Sequence, residues 1–534
     1  MIKRKLVSAI LASAMVVSLA GCGGASSAPD KTTETKATEA AGADTTAAPA
    51  GDTAAATDQE PATLDTVTML VNYKATEAPA ADNPIILAIK EHTGTTLDVM
   101  WVPQDAFEEK INTLMASQQL PMVTVIREIK SSGFINAARS GMFWDLSPYI
   151  GQFKNLSQLD ANVMKNVQTD GQQFLIPRVR QTARMGGIVR TDWLENLGME
   201  MPTTIDELHD ILYAFTYNDP DKNGINDTFG LSMNDTELKN DSTLLTVYMG
   251  GCNEWQVNDD GSFTSKYETD TYTKALTILH DWYAEGLINN DFPINDDELT
   301  NFTSGRAGMM WLGNLEDAST RMSNLTEINP DATVDIFQIL TEKPDGDKHI
   351  VGFRGYTGCI AIPTTSVKTE EELLSVLAFL DKLGDPEMCD LFNYGIEGES
   401  YSVVDGGVSQ TEDQQLVYGT RYNQLRQITP FYTSTNLLPS SMTPLAEKIN
   451  DLMSTNTAYT IFDPTLPFIS QTETETGGTT GELATFIQDA CTNYVIGEIT
   501  LDDYLASVEK WKSMGGAQMA QEFAELYSAA QGAN

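Results

Sequence analysis

Three apolar stretches decide the fold class: TVTMLV at residues 66–71, TLDVMWV at 96–102 and MVTVI at 122–126. Between these predicted strands, the spacing of apolar residues predicts one helix over 85–91 and a second over 107–117. Strands that alternate with helices are joined by right-handed crossovers and form a parallel sheet. The region therefore predicts an α/β lobe whose helices pack on its sheet.

Polar residues follow two of these strands at the edge where such sheets bind ligands, outside the carboxyl ends of the strands. Asn72 and Tyr73 follow the first strand, and Arg127 and Glu128 follow the third. We expect this edge to form part of a binding site, with Asn72 and Arg127 as ligand-binding residues. The remaining sequence is too long for one simple core, which suggests two lobes.

The N-terminus has the pattern of a bacterial lipoprotein signal peptide over residues 1–21. A basic start at 3–5 precedes an uncharged apolar run at 6–20, which is too short for a membrane span of about 20 residues. The sequence LAGC at 19–22 then matches a lipobox, in which the thiol of Cys22 accepts the lipid. An ordinary secretory signal with a chance cysteine is the alternative.

Residues 22–62 are expected to form the lipid anchor and a disordered linker. After Cys22 they are almost all Ala, Thr, Gly, Ser, Pro, Asp and Glu, and they contain no aromatic residue and no Val, Ile or Leu. Such a composition cannot bury a core. The linker would connect a lipid at the membrane to a folded domain outside the cell.

The charge balance excludes two classes of partner. The chain has 33 Lys and Arg against 75 Asp and Glu, a net charge of -42, so nucleic acid phosphates and anionic lipid headgroups repel it. We therefore expect membrane attachment through the N-terminal lipid alone. The four cysteines other than Cys22 are widely spaced without a CxxC motif, which predicts buried free thiols and suits a Gram-positive surface.

A loop of the EF-hand type occupies residues 219–230. Oxygen-bearing residues stand at loop positions 1, 3, 5 and 9, with Gly224 at the sharp turn of position 6. The predicted Ca²⁺ ligands are the side chains of four residues and the carbonyl of a fifth: Asp219, Asp221, Asn223, Asp227 and Ile225. Gly230 replaces the usual bidentate Glu of position 12. We expect a structural Ca²⁺ site, and a plain Asx-rich turn is the alternative.

The run RTDWLENLG at 190–198, followed by PTTIDEL at 202–208, resembles the family 1 extracellular solute-binding proteins. These are the sugar-binding lipoproteins of ABC importers. Thr204 and Glu207 are also placed as a capping box at the start of a helix. Further segments resemble the family in the same order, and they include residues 141–150, 170–178, 283–288, 304–309 and 393–401.

The resemblance implies a periplasmic-binding-protein-like α/β fold with two lobes. Each lobe would be a mainly parallel sheet flanked by helices, and hinge crossovers would join the lobes around a ligand cleft. The implied N-terminal lobe spans 63–177, and the C-terminal lobe spans 178–355 with the calcium-type loop. The chain would return to the N-terminal lobe over 356–400, and 401–534 would be mostly helices of the C-terminal lobe.

Sugar sites pair aromatic platforms with polar side chains, which gives further ligand-binding candidates. The candidates are Trp255, Trp311, Arg354, Tyr356 and Glu397, and core packing is the alternative for each aromatic. Trp193, Trp282 and Trp511 are assigned to packing. Arg180 and Arg184 lie in a basic stretch and depart from the family pattern, so a cleft position would favour an acidic sugar such as a uronate. Solvated arginines paired with nearby acids are the alternative.

The resemblance implies a monomeric, lipid-anchored protein on the extracellular face of the membrane. It would bind a carbohydrate, of oligosaccharide size, and deliver it to the permease subunits of an ABC importer without catalysing a reaction. The sequence contains no GxSxG, HExxH or P-loop motif. A surface glycosidase and a non-transport sugar sensor or adhesin are the alternatives.

Overall fold

Two sheets organise the folded chain, each with its own hydrophobic core. The computed structural model describes residues 61–294, 298–431, 437, 439–440, 442–478 and 481–532. The predicted signal peptide, the lipidation site Cys22 and all but the last two residues of the predicted linker lie outside the described residues. Within the described part, no helix combines the length and the apolar character needed to cross a membrane.

The first segment of the chain forms most of one lobe. Its elements are β1 (Thr66–Tyr73), α1 (Pro84–Thr93), β2 (Thr96–Pro103), α2 (Phe107–Ala116), β3 (Val123–Ile126), α3 (Ser132–Arg139), α4 (Ala161–Asn166) and β4 (Leu175–Val179). The predicted strands and helices of residues 66–126 are confirmed, with bounds that differ by one or two residues. Helix α1 begins where the Asn83 side chain accepts from the Ile85 N–H at 3.0 Å, and it ends at Gly94, whose φ is 76°.

The second segment forms the other lobe. Its elements are β5 (Gly186–Arg190), α5 (Thr191–Leu197), α6 (Ile205–Tyr217), β6 (Phe229–Ser232), α7 (Asp235–Tyr248), β7 (Trp255–Val257), β8 (Phe263–Ser265), α8 (Asp270–Ala284), α9 (Glu298–Thr303), β9 (Ala307–Leu312), α10 (Ala318–Ile328), β10 (Val334–Phe337) and β11 (Ile350–Gly352). The predicted capping box at the start of α6 is confirmed, because Thr204 Oγ1 accepts from the Glu207 N–H at 3.2 Å and Glu207 Oε2 accepts from the Thr204 N–H at 3.2 Å.

The chain then returns to each lobe once more. The third segment packs on the first lobe with β12 (Tyr356–Ala361), α11 (Glu370–Lys382), α12 (Pro386–Tyr394), β13 (Ser402–Val404), β14 (Gly407–Ser409) and α13 (Glu412–Val417). The fourth packs on the second lobe with α14 (Pro444–Thr455), β15 (Thr460–Phe462), α15 (Gln471–Glu475), α16 (Glu482–Val495), α17 (Leu501–Trp511) and α18 (Ala517–Gly532). Tyr422, Leu425 and Ile428 still belong to the first core, so the return extends about thirty residues beyond the expected limit at residue 400.

Each main sheet contains one strand that runs against the others. The first sheet has the order β2-β1-β3-β12-β4, and β12 is antiparallel to both of its neighbours. The second has the order β10-β5-β9-β6, and β5 is antiparallel to both of its neighbours. Strands β5 and β12 are the strands by which the chain enters each lobe from the other one. The predicted two-lobed α/β fold with mainly parallel sheets is confirmed.

The two crossover segments hydrogen-bond to each other and form a hinge. The Phe353 N–H donates to the Thr182 carbonyl at 2.9 Å, and the Arg180 N–H donates to the Gly355 carbonyl at 2.7 Å. The chain crosses between lobes over residues 180–185, a few residues later than the expected limit at residue 177, because β4 continues to Val179 and still pairs with β12. Short paired segments of this kind can absorb the rotation of one lobe against the other.

The four cysteines of the described chain are free thiols. Cys359, Cys389 and Cys491 are buried as expected, whereas Cys252 is half-buried. Trp193, Trp282 and Trp511 are buried in the second core, which confirms their assignment to packing. The Arg190 guanidinium lies 4.6 Å from the Trp193 ring and pairs with Asp192, so the RTDW part of the motif is a packing unit of this core.

Candidate functional site

A cavity of about 730 Å³ lies between the two lobes at the hinge. The first lobe contributes residues at the carboxyl ends of β1, β2 and β3, together with the segment after α13: Asn72, Lys74, Gln104, Arg127, Asn423, Gln424 and Gln427. The second lobe contributes Arg184, Met185, Asn240, Thr243, Asn253, Glu254, Asp463 and Leu466. The crossovers contribute Arg180, Gln181, Phe353, Arg354 and Gly355. The carboxyl ends of parallel strands therefore face this cavity, as expected for such sheets.

The cavity is basic although the protein is strongly acidic. Six of its lining residues are cationic, namely Lys74, Arg127, Arg178, Arg180, Arg184 and Arg354, and two are acidic, namely Glu254 and Asp463. The whole chain has 33 basic residues against 75 acidic residues. A cleft lined by one sign of charge concentrates ligands of the opposite sign. The arrangement favours an anionic ligand.

Arg178 is the structural member of this cationic set. Its side chain is 3 % exposed, and its Nη1 donates to the carbonyl of Gln427 at 2.9 Å and to Oε1 of the same residue at 2.7 Å. Its Nη2 donates to the Thr357 carbonyl at 2.5 Å. Burial, followed by the charge of Arg180, lowers the pKa of Arg178 to about 9. Arg178 therefore ties β4 to β12 and to the segment after α13, and it fixes one wall of the cavity.

The ion pairs that two other arginines make among the described residues are long. Arg127 Nη1 lies 3.9 Å from Glu108 Oε1, and Arg184 Nη2 lies 3.6 Å from Glu316 Oε2. The Arg184 Nε also donates to Asn314 Oδ1 at 3.3 Å. Guanidinium groups in such loose contacts can turn to bind a carboxylate with two hydrogen bonds. The Arg354 guanidinium lies 4.9 Å from the centre of the Tyr356 ring, which holds its position at the hinge.

Glu254 stays ionised beside these cations because a buried lysine supports it. Lys266 is fully buried, and its Nζ donates to Glu254 Oε1 at 2.8 Å and to Thr243 Oγ1 at 2.7 Å. Burial raises the pKa of Glu254, but the charges of Lys266 and Lys239 outweigh burial and bring the pKa down to about 2. Glu254 is therefore a fixed carboxylate that can accept hydrogen bonds from ligand hydroxyl groups.

Asp463 is the titratable acid of the cavity. Burial raises its pKa to about 6, although the charge of Lys130 acts in the opposite direction. Lys130 belongs to the first lobe, and its Nζ donates to the carbonyl of Thr465 in the second lobe at 3.4 Å. Asp463 therefore lies where the two lobes meet.

Asn72 has a free acceptor at the cavity wall. Its Nδ2 donates to Gln104 Oε1 at 3.4 Å, whereas its buried Oδ1 has no hydrogen-bond partner among the described residues. A buried acceptor without a partner costs about 1–3 kcal/mol. A ligand hydroxyl group would satisfy this atom.

Five of the eight ligand-binding residues expected from sequence line this cavity: Asn72, Arg127, Arg180, Arg354 and Tyr356. Arg184, expected from the same basic stretch, joins them. Tyr73 and Glu128 are not among the lining residues. The structure adds Lys74, Gln104, Glu254, Asp463 and the glutamines near residue 427, which come from five separate segments. No local sequence signal marks these residues.

The other three candidates lie elsewhere. Trp255 is 8 % exposed and packs in the second core with its ring 5.1 Å from Phe523. Trp311 is 7 % exposed, packs 5.7 Å from Phe337 and lines a second, smaller cavity. Glu397 lies in a turn beside Tyr401. Trp255 and Trp311 are strand residues whose side chains pack in the core of their own lobe, and Glu397 is not among the residues that line the hinge cavity.

The loop at residues 219–227 gathers polar side chains in the second lobe. Asn223 Nδ2 donates to Asp221 Oδ2 at 2.8 Å and to Asp227 Oδ1 at 3.2 Å, and the Gly224 N–H donates to Asp219 Oδ2 at 3.1 Å. Burial and the charges of Asp227 and Asp219 raise the pKa of Asp221. In the part of the chain that was placed, no group of three or more His, Cys, Asp or Glu side chains is arranged to hold a metal ion. The oxygen donors suit Ca²⁺ in type.

Two α/β lobes joined by a hinge, with a polar cavity between them, define the class of solute-binding proteins. The chain belongs to the bacterial extracellular solute-binding protein family, because residues 37–388 match the model of that family. Proteins of this family bind solutes rather than catalyse reactions on them.

Two relatives from Bacillus subtilis (strain 168) are similar over most of their length. The chain is 34% identical to Lipoprotein LipO over 476 residues, which cover 87% of this chain and 92% of the relative. It is also 34% identical to the polygalacturonan/rhamnogalacturonan-binding protein YtcQ over 449 residues, which cover 83% of this chain and 88% of the relative.

A solved structure shows the same fold. The extracellular solute-binding protein from Bifidobacterium longum subsp. infantis matches with a TM-score of 0.67 and covers 87% of this chain and 98% of its own. At 17% identity this likeness concerns the fold alone.

Proposed function

We propose that this protein binds an acidic oligosaccharide outside the cell and delivers it unchanged to the permease of an ABC importer. The observation that carries the proposal is the hinge cavity, which collects six cationic side chains in a chain of net charge -42. Guanidinium groups bind carboxylates with two parallel hydrogen bonds. A glycan built from uronate units would present one carboxylate per unit to this surface.

The relatives support the same chemistry. YtcQ is named for binding polygalacturonan and rhamnogalacturonan, both of which contain galacturonate. The unpartnered Oδ1 of Asn72 and the ionised Glu254 complement the cations, because they can accept hydrogen bonds from sugar hydroxyl groups. The site therefore offers both anion-binding and hydroxyl-binding groups.

Arg180 and Arg184 provide the test of acid selectivity. Calorimetric titration would compare a galacturonate trimer with a neutral trisaccharide of equal size. Replacing both arginines, as Arg180→Gln with Arg184→Gln, should weaken galacturonate binding at least about tenfold, since a hydrogen bond to a charged group contributes about 1.5–3 kcal/mol. Neutral sugar binding should change little, and Arg139→Gln on the surface should change neither. Equal losses for both sugars in the double variant would contradict the proposal.

The binding role also predicts that the sugar survives. After prolonged incubation of protein with galacturonate oligomers, chromatography should recover the same chain lengths. Shorter products would favour the surface glycosidase. If binding is confirmed but deletion of the neighbouring permease genes leaves uptake of the glycan unchanged, a sensor or adhesin would be favoured instead.

The lipid anchor is part of the proposal. A lipid on Cys22 would hold the protein at the extracellular face of the membrane, as for a relative named a lipoprotein. Cells fed a labelled fatty acid should label the wild-type protein and not the Cys22→Ser variant, and the variant should be released into the medium. Equal labelling of both proteins would contradict lipidation at this residue.

The loop at residues 219–227 is proposed to bind a structural Ca²⁺. Burial and the charges of Asp227 and Asp219 raise the pKa of Asp221, and a bound cation would relieve the repulsion among the three carboxylates. Calcium at a hundred times its Kd would stabilise the fold by about 2.7 kcal/mol, measured as a rise in Tm. The Asp219→Ala variant should lose this rise and the Asp259→Ala variant should keep it. A wild-type Tm that does not respond to calcium or chelator would contradict the proposal.

A further inference from the structure

A second cavity of about 190 Å³ lies in the second lobe at the carboxyl ends of β6 and β9. Its walls are acidic, with Glu237, Asp241, Glu298 and Asp317 against the single cation Arg321. Trp311 also lines it. The charge of this cavity is therefore opposite to that of the hinge cavity.

Two buried groups line this cavity. Asp241 is 2 % exposed, and burial together with the charges of Glu237 and Glu298 raises its pKa well above the usual value, which favours the neutral acid. Trp311 is 7 % exposed, and its indole N–H, also buried, has no acceptor within the described residues. A buried acid and a buried N–H group both need hydrogen-bond partners, and native structures seldom leave such groups without them. Both groups line the same cavity, which indicates that a ligand satisfies them.

The two cavities are neighbours. Helix α7 contributes Asn240 and Thr243 to the hinge cavity and Glu237 and Asp241 to the second cavity. The side chain of Arg184, which lines the hinge cavity, donates to Asn314 of the second cavity at 3.3 Å. One glycan could therefore occupy both cavities by passing beside Arg184.

We propose that the second cavity is a subsite for a neutral sugar unit, so that the preferred ligand is a glycan of mixed charge. The inference rests on the proposed function and specifies its ligand. A hydroxyl group donates to a carboxyl oxygen of Asp241 and also accepts from the indole N–H of Trp311. An ammonium group could satisfy only the first of these atoms, because it has no acceptor. A second carboxylate would be repelled by the charges of Glu237 and Glu298, which already raise the pKa of Asp241.

The hinge cavity then binds the uronate units while the second cavity selects the neutral unit. Such a division discriminates between glycans by attraction at one end and repulsion at the other. A homopolymer of uronate would have to place a carboxylate among these acids or leave the cavity empty.

Calorimetry with two glycans of equal length tests the inference. One is a galacturonate homo-oligomer, and the other alternates galacturonate with rhamnose. The wild type should bind the alternating glycan about tenfold or more tightly, since a buried group left without a hydrogen-bond partner costs about 1–3 kcal/mol. Trp311→Phe, which keeps the ring and removes the N–H, and Asp241→Asn should each abolish most of this preference. Both variants should bind the homo-oligomer within about twofold of the wild type.

Asp241→Asn also has a stability readout. Because the variant replaces an acid whose charged form burial disfavours with a neutral amide of the same shape, its Tm without ligand at neutral pH should equal or exceed that of the wild type. A buried acid with a backbone donor provides the matched control: Asp390 accepts from the Leu437 N–H at 3.1 Å, so Asp390→Asn should lower the Tm. If Asp241→Asn does not fold, its burial has a structural purpose, which counts against the inference, and Trp311→Phe still measures glycan preference.

Several outcomes would overturn the inference. Wild-type protein could bind both glycans equally, or the two variants could weaken both glycans to the same degree. Tighter binding of an oligomer that alternates galacturonate with glucosamine would replace the neutral unit with an amine. If the wild type binds none of these glycans, the proposed function fails, whereas binding of the homo-oligomer without preference removes only the subsite.

Discussion

The two walls of the hinge cavity carry opposite charges. The first-lobe wall has Lys74, Arg127 and Arg178 and no acid, whereas the second-lobe wall has Glu254 and Asp463 beside Arg184. An acidic glycan should therefore bind first to the wall of the first lobe. Lobe closure would then bring carboxylates of the second lobe to the hydroxyl groups on the other face of the sugar. The difference indicates that one lobe selects charge and the other selects hydroxyl pattern.

The walls also differ in how they are stabilised. Backbone and side-chain oxygens of Gln427 and Thr357 hold Arg178 on the first wall. On the second wall, the buried Lys266 holds Glu254. The first wall therefore depends on the hydrogen bonds of one buried arginine, and the second depends on a buried ion pair.

Lys266→Met should have the largest effect on the free energy of unfolding. It should also disturb the second-lobe wall of the cavity, because Lys266 holds Glu254 there. Removing one partner of a buried ion pair costs about 3–5 kcal/mol, because the remaining charge is left buried and unpaired. Denaturant unfolding would measure this loss. Lys274, which is 53% exposed and paired with Glu342, is the control, and Lys274→Met should cost less than about 1 kcal/mol. Equal losses of unfolding free energy in both variants would contradict the stabilising role of the buried Lys266–Glu254 pair.

Arg127→Gln should reduce the preference of the first-lobe wall for anionic ligands. Loss of the Arg127 guanidinium should weaken binding of a galacturonate trimer by about 1.5–3 kcal/mol, roughly ten- to a hundredfold, with little change in Tm. The small change in Tm follows because its ion pair with Glu108 is 3.9 Å long. Calorimetry in low and high salt measures the effect, which should shrink as salt rises. An unchanged affinity would show that another arginine binds the carboxylate of the ligand. It would contradict the role of the first-lobe wall in selecting charge.

Asp463 should make binding depend on pH. Its pKa is raised to about 6, so it is protonated below that value and charged above it. A charged Asp463 repels an anionic glycan, and affinity should therefore fall as pH rises through about 6. Asp463→Asn should remove this dependence, and Asp98→Asn on the exposed face of β2 should keep it.

The same shift has a consequence for stability. Because the folded protein favours protonated Asp463, this group stabilises the fold at pH below its unfolded pKa, and the contribution is lost as pH rises through about 6. Chemical unfolding of the wild type and Asp463→Asn at several pH values checks the sign. A wild-type stability that rises across this window relative to the variant would contradict it.

Thr204→Ala should have the smallest effect of these variants. Thr204 lies at the start of α6, outside both walls of the hinge cavity. Loss of the cap at the start of α6 should cost about 1 kcal/mol of stability and leave glycan affinity unchanged. Denaturant unfolding and calorimetry provide the two measurements. A change in affinity would show that the second lobe transmits distant strain to the cavity, which would weaken the distinction between the walls.

The sequence predicts well the features that depend on neighbouring residues. It predicts only in part the features that depend on how distant segments come together in the fold. The strands of residues 66–126 and the capping box of Thr204 and Glu207 follow from spacing over a few residues, because neighbours in sequence determine them. Asn72 and Arg127 were predicted in the cavity because strand ends in a parallel sheet meet at one edge. Lys74, Gln427 and Asp463 were not predicted, since only the full topology brings their segments together.

The aromatic candidates lie outside the hinge cavity. Trp255 and Trp311 were predicted because sugar sites use aromatic rings; both are largely buried within the second lobe, and Trp311 lines the second cavity instead of the hinge cavity. A strand residue faces one side or the other of its sheet, and the sequence near these tryptophans does not show which side is the core. Basic residues gave the better signal because cations are scarce in this chain and therefore stand out when they cluster.

The affinity of the wild type for a galacturonate trimer and for the same trimer with its carboxyl groups reduced to alcohols tests the central claim most directly. The two ligands differ only in the charges that the basic cavity is proposed to bind. The account predicts that the reduced trimer binds at least about a hundredfold more weakly, because several charge-assisted hydrogen bonds are lost. Equal affinity for the two trimers would contradict it.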